Sequence, residues 1–206
     1  MSKPAVLCVD YYLAPQSPWA YLGHARLQEL VRQTGCAVRV MPVDLGGSVF
    51  PVSGGLPLAK RAPQRQAYRL LELRRFSERL GMPLNLQPRF FPVPGDAAAR
   101  LIIAVQQQDG SAAALRITGA VLRAVWAEER DIADPALLAT LLEEQQLPAQ
   151  RLEESQAPEV QASYEAATAE AIAAGVFGAP SYVVHGEIFW GQDRLDFLQE
   201  RLQRGA

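Results

Sequence analysis

The chain has 206 residues, 49% of them hydrophobic and 20% charged, with a formal charge of −2 at pH 7. That length supports one sizeable core, or a domain with a second lobe inserted, and the near-neutral charge gives no electrostatic footprint for nucleic acid or an anionic membrane. No apolar run approaches the ~20 residues of a membrane span, and Met1-Ser2-Lys3-Pro4 leads into a strand-like segment without a secretory pattern, so the expected location is cytoplasmic.

Ala5 to Leu13 is almost continuously apolar and stops before Pro15, which suits a central strand buried on both faces. Ser17 follows as an N-cap with Pro18 at the first helical position, where its missing N–H costs nothing. Trp19, Leu22, Leu27, Leu30 and Val31 recur at helical spacing, Gly35 supplies a stop, and Cys36 to Val43 reads as the next strand, parallel to the first. Cys8 and Cys36 both fall in these apolar stretches and read as buried reduced thiols rather than a disulfide. From about residue 58 the character changes to helices rich in alanine, leucine and glutamine. Ala62 to Leu80 ends at Gly81, and Asp96, Ser111, Asp134 and Pro158 open further helices. Strands return with Ser181 to Val184, a His185-Gly186 turn and Glu187 to Trp190, before Asp193 caps a last amphipathic helix carrying Leu195, Leu198 and Leu202. The fold class is α/β with an inserted α-helical lobe.

Chemistry concentrates in three short stretches. In Ser17-Pro18-Trp19-Ala20-Tyr21-Leu22-Gly23 a hydroxyl stands at a helix N-terminus, among unpaired N–H groups and the positive end of the helix dipole. Such a site favours a nearby anion such as a thiolate, and a hydrogen bond to the charged form lowers a thiol's pKa. The plain alternative is an N-cap and nothing more. Gly175-Val176-Phe177-Gly178-Ala179-Pro180 places a proline just before the terminal strands. Together these two stretches match the arrangement of a thioredoxin-type fold, in which a C-P-x-C helix start faces a cis-proline loop, so the Ala179-Pro180 bond is expected to be cis. The cysteine positions of that motif are Ser17 and Ala20 here: the scaffold for a thiol is kept and the dithiol is gone. The third stretch, Trp190-Gly191-Gln192-Asp193-Arg194, offers a helix start for a carboxylate and Asp193 for an amine, although an aspartate N-cap alone also accounts for it.

With these motifs in place the chain resembles the 2-hydroxychromene-2-carboxylate isomerases, and the kappa-class glutathione transferases that share their fold with DsbA-type oxidoreductases. The resemblance spans the whole chain, through SPWAYLG, the stretch after Pro57, Phe91-Pro92-Val93, WAEERD, GVFGAP and FWGQDRL. It implies a thioredoxin-like domain of residues 1–58 and 166–206 with an all-α domain, 59–165, inserted, and glutathione held between them. It further implies that Ser17 meets the glutathione sulfur, that Ala179 before the cis Pro180 bonds the cysteinyl backbone, and that Asp193, beside Gln192, meets the γ-glutamyl group. The family's G-N-x-P segment reads Gly54-Gly55-Leu56-Pro57, so Gly55 offers backbone where an amide side chain stands elsewhere. The implied reaction interconverts a cyclic hydroxychromene carboxylate and an open-chain hydroxybenzylidene pyruvate by reversible thiolate addition, bond rotation and elimination. The implied assembly is a homodimer.

Without a thiol at the helix start, dithiol exchange is excluded. His24 and His185, the only histidines, give no support for a Ser-His-Asp hydrolase or a metal site. A glutathione-dependent isomerase acting on a small aromatic substrate is the leading expectation. A kappa-like transferase and a non-catalytic thiol-ligand binding protein stand as alternatives. Trp19, Phe50, Phe90 and Phe91 are candidates to line an aromatic pocket, although ordinary core or interface packing is the favoured account of each.

Overall fold

In a computed structural model, which describes residues 7–205, strand β1 (Cys8–Leu13) lies inside a four-stranded sheet. The expected start of this strand, Ala5 and Val6, lies outside the described residues. Ser17 then adopts extended angles (φ −79°, ψ 121°), its hydroxyl accepts the Ala20 N–H at 3.2 Å, and Pro18 opens α1 (Pro18–Thr34). Gly35 closes that helix in the left-handed conformation (φ 66°), as its position just past the last apolar turn suggests.

Strand β2 (Ala37–Pro42) pairs parallel with β1, setting Val9 against Val38 and Tyr11 against Val40. Strands β3 (Ser181–Val184) and β4 (Glu187–Trp190) add antiparallel on the other side, giving the order β2-β1-β3-β4. The His185-Gly186 turn between them has both residues at positive φ (50° and 82°), the mirror-image turn whose twist suits a tight hairpin. Alternation along β1 divides the sheet's two faces. Tyr11 and Leu13 join the cluster that contains Leu22 and Leu27 of α1, whereas Tyr12 packs with Met41, Val183, Ala167 and Ala171.

The remaining helices are α2 (Phe50–Ser53), α3 (Pro63–Leu80), α4 (Asp96–Trp126), α5 (Pro135–Glu144), α6 (Arg151–Glu154), α7 (Pro158–Ala173) and α8 (Leu195–Gln203). Asp134 caps α5 through the Ala136 N–H at 2.9 Å. Asp96 does not cap α4. Gly95 takes that position and Asp96 is the first helical residue; a Cβ at Gly95 would stand 2.3 Å from Gln16 Oε1, so this position is kept bare. The fresh start expected at Ser111 corresponds to a break at Gly110 (φ 82°, ψ 175°), so α4 is two helical segments end to end. One continuous apolar cluster joins the sheet and α1 to α4 and to Leu138 and Leu142 of α5, and α7 runs unbroken past residue 166. Among the described residues no helix is long and apolar enough to cross a membrane.

Two close approaches bring the distant site stretches together. A Cβ on Gly23 of α1 would stand 2.8 Å from the Tyr182 hydroxyl and 3.0 Å from Gln192 Cβ, so the bare glycine lets β3 and the segment after β4 lie directly on α1. Arg26, one turn on, ties that segment down by donating to the Gln192 carbonyl (3.0 Å) and to Asp196 (2.9 Å).

Candidate active site

The N-terminus of α1 opens into a cleft of about 910 Å³, a size ordinary for small-molecule sites. Ser17, Gly55, Ala179, Gln192 and Asp193 all line it, although they come from four separate parts of the chain. Pro180 lies just beneath the surface. Its bond to Ala179 is cis, and its carbonyl accepts the Gly191 N–H at 2.9 Å, which joins the proline loop to the end of β4. The Ser17 hydroxyl is buried, accepts from Ala20 and donates to the Ala179 carbonyl across a long 3.4 Å. Among the described residues nothing accepts the Ala179 N–H.

Gln192 is 2% exposed, and its side-chain carbonyl accepts from Arg26 at 3.4 Å, but its Nε2 has no partner. A buried amide left without an acceptor is costly, and a ligand carbonyl or carboxylate in the cleft would satisfy it. The expected cap role of Asp193 is corrected. Gln192 to Arg194 wind into a single 3₁₀ turn, Arg194 occupies the N-cap of α8 without a side-chain bond, and the Asp193 carboxylate instead pairs with Arg194 at 2.7 Å. Asp193 is half exposed at the cleft rim and therefore reachable by a cationic group.

Gly55 is fixed by Phe50. A Cβ at position 55 would stand 2.1 Å from the Phe50 ring, so the aromatic side chain fills the space that a longer residue would need, and Gly55 presents backbone alone. Of the four candidate aromatics, Trp19, Phe50 and Phe91 line the cleft, against the packing account favoured for them, whereas Phe90 does not and sits beneath Arg89. Phe177 and Trp190 meet at 4.7 Å on the rim, where the absence of a Cβ on Gly178 admits the indole. The Phe91-Pro92 bond in the opposite wall is also cis, a feature not anticipated.

A basic face of α3 also went unread. Arg65 and Arg69, with Arg61 just before the helix, all reach the cleft. Their four-residue spacing puts them on one side of a helix, which was the available signal. Burial, reinforced by Arg61, pushes the Arg69 guanidinium down to about 10, so it stays protonated at neutral pH. Its carbon lies 5.3 Å from the Phe91 ring centre and 5.6 Å from that of Trp126.

No cysteine lines this cleft. Cys8 is half-buried in β1 and Cys36 is buried beside β2, both free, and burial together with Asp10 pushes the Cys8 thiol up, away from the reactive form. The site is thus a hydroxyl at a helix N-terminus facing a cis-proline loop, set in an aromatic cleft, with no thiol of the protein's own.

A family model described as the DSBA-like thioredoxin domain matches residues 8–203, and the chain belongs to that family. Its curated relatives include the 2-hydroxychromene-2-carboxylate isomerase of Sphingobium xenophagum, 31% identical over 195 residues that cover 94% of this chain and 97% of the relative. The isomerase of the same name from Pseudomonas putida is 27% identical, with 96% and 95% covered. A solved 2-hydroxychromene-2-carboxylate isomerase superposes with a TM-score of 0.80 at 26% identity, covering 96% of this chain and 95% of that one. The cytosolic disulfide reductase DsbM of Pseudomonas aeruginosa, solved with GSH, shares the fold at a TM-score of 0.69 and 18% identity, with 96% and 100% covered. Within the DSBA-like family, this chain falls with the isomerases.

Proposed function

We propose that the protein is a glutathione-dependent isomerase of small aromatic catabolites, of the 2-hydroxychromene-2-carboxylate type. The observation that carries this reading is the buried Ser17 hydroxyl at the start of α1, facing the Ala179 carbonyl in a cleft without a cysteine. A nucleophile used there has to arrive with a ligand, and a relative of the same fold has been solved with GSH. The residues fit a peptide-like thiol. The Ala179 N–H and the orphaned Gln192 Nε2 are open hydrogen-bond donors, and the Asp193 carboxylate at the rim suits an ammonium group.

When bound, glutathione supplies a thiolate able to add reversibly to a conjugated double bond and to leave again after rotation. The chain's own part is to bind, orient and hold charge. Ser17 Oγ is within reach of rotation away from its long bond to Ala179, and can then donate to an anion at the helix N-terminus. The N-terminal N–H groups and dipole of α1 favour the same anion. Gln192, locked by Arg26, orients the ligand backbone. Trp19, Phe50 and Phe91 give an apolar wall that excludes water from an aromatic electrophile.

Calorimetric titration of glutathione into the wild type and Asp193→Ala tests the reading. The exposed ion pair is worth ~1 kcal/mol, so the variant is expected to bind about fivefold more weakly. Turnover of a 2-hydroxychromene-2-carboxylate is expected only with glutathione present. Absence of glutathione binding at millimolar concentration, or isomerisation that proceeds equally without it, would sink the proposal.

A further inference from the structure

Arg69 is a protonated side chain without an acid. Among the described residues it makes no hydrogen bond and no salt bridge, although Glu72 lies one turn away on the same helix. Glu72 is taken by Arg75 at 2.6 Å. Two other arginines show the contrast: Arg39 holds both Asp10 and Glu170, and the buried Arg151 holds both Asp109 and Glu154. Arg65 is likewise without a carboxylate, and Arg61 spends its Nε on the Leu56 carbonyl at 2.7 Å while its carbon lies 5.9 Å from the Phe50 ring.

The rest of the surroundings reinforces the imbalance. Arg69 rests against Phe91 and Trp126, aromatic faces that hold a guanidinium in one plane but give it no anion. Its desolvation is uncompensated, which shows in the lowering of its proton affinity. A planar fork so held, with its donors free on a residue that lines the cleft, is suited to receive a carboxylate in two parallel hydrogen bonds. The apolar walls beside it are suited to the ring that such a carboxylate would carry.

We propose that Arg69, with Arg65 also on the cleft lining, is the carboxylate-recognition element of the cleft and orients the aromatic electrophile against the Ser17 end. This deepens the isomerase reading and rests on it for the identity of the second ligand. In that arrangement Arg69 holds the carboxylate while the apolar wall beside it packs on the ring, and selectivity for an aromatic acid over its neutral analogue comes from Arg69.

The test needs no glutathione. Salicylate and its uncharged analogue salicylamide are titrated into the full chain and followed by calorimetry, in the wild type, Arg69→Gln and Arg69→Lys, with thermal melts run in parallel. The wild type is expected to prefer salicylate by about tenfold or more, as a charge-assisted pair of hydrogen bonds is worth ~1.5–3 kcal/mol. Arg69→Gln is expected to erase that preference while leaving salicylamide binding unchanged, and Arg69→Lys to recover part of it. Glutathione is titrated separately into the same proteins, because its own carboxylates present the same chemistry. Glutathione affinity that falls tenfold in Arg69→Gln while the salicylate preference persists would assign Arg69 to the thiol ligand and overturn the proposal. A wild type with no preference for salicylate, including one that binds neither compound, overturns it as well. Either result leaves the glutathione reading to stand or fall on its own titration.

Discussion

Ser17→Ala is expected to lower glutathione-dependent kcat/KM at neutral pH by about ten- to a hundredfold while leaving the fold intact. The size follows from the charge on the acceptor, since a hydrogen bond to an ionised group is worth ~1.5–3 kcal/mol. The same loss appears as a bound thiol whose pKa returns toward its ordinary value near ~8.5. The sign is fixed: removing a donor to the anion destabilises the thiolate, so the variant's pH–rate profile moves to higher pH. The deficit therefore shrinks as the medium becomes alkaline enough to ionise the thiol unaided. Folding suffers little, because the substitution removes one N-cap bond, to Ala20, and one long bond to Ala179. An N-cap is worth ~1 kcal/mol, or a drop of about 2–4 °C in Tm for a chain of this size. Steady-state rates across a pH series, with a melting curve for each protein, check both parts. Undiminished turnover at neutral pH with an unmoved profile would leave Ser17 as a cap only.

The parts of the fold that were legible are those where a local signal decides a local structure. Ser17-Pro18 and Asp134-Pro135 open helices because an oxygen acceptor followed by a residue without N–H satisfies a helix start by itself. Gly35 and Gly81 close helices because the left-handed conformation favours them. The alliance of Ser17, Ala179 and Asp193 was legible only through resemblance, since nothing in their spacing says that the ends of the chain meet. What was missed depends on partners far away. Asp193 carries a cap's local pattern, yet Gln192 is drawn under Arg26 and against Gly23, and the chain winds into a 3₁₀ turn instead. Gly55 looked like a lost amide, but the cause is Phe50, whose ring occupies the space a side chain would need. The arginines of α3 were visible as a periodic charge pattern, which ordinarily marks a solvated face. Only the packing of Arg69 on Phe91 and Trp126 turns that face toward the cleft.

His24 is expected to make the protein lose stability as pH falls from about 6.5 to about 4, by ~3 kcal/mol in total. The residue is 4% exposed and joins three elements: the Tyr11 hydroxyl of β1 donates to Nδ1 at 3.4 Å, and Nε2 donates to the Leu115 carbonyl of α4 at 2.9 Å. The bare Gly119 lets α4 approach the ring, since a Cβ there would stand 3.1 Å from it. That pairing assigns the proton to Nε2 and leaves Nδ1 as an acceptor, so a second proton has to break the bond from Tyr11, whose own ionisation burial opposes. Desolvation thus lowers the imidazole to about 4 in the folded state, against ~6.5 in the unfolded chain. Between those values the unfolded chain binds the extra proton and the folded one does not, so stability rises with pH and is complete above the unfolded value. By about pH 5 the loss is ~2 kcal/mol, before most carboxylates begin to titrate. Urea denaturation near neutrality and near pH 5 is expected to give this difference in the wild type. His24→Gln, which keeps a donor and an acceptor in a similar volume, is expected to flatten the dependence by about that amount while remaining less stable at neutral pH. Parallel pH dependences in the two proteins would place the titrating group elsewhere. The same burial removes His24 from catalysis. A neutral imidazole with both nitrogens engaged and outside the lining of the cleft is not placed to exchange a proton with a ligand there, so the proposed reading rests its handling of charge on the helix N-terminus and Ser17.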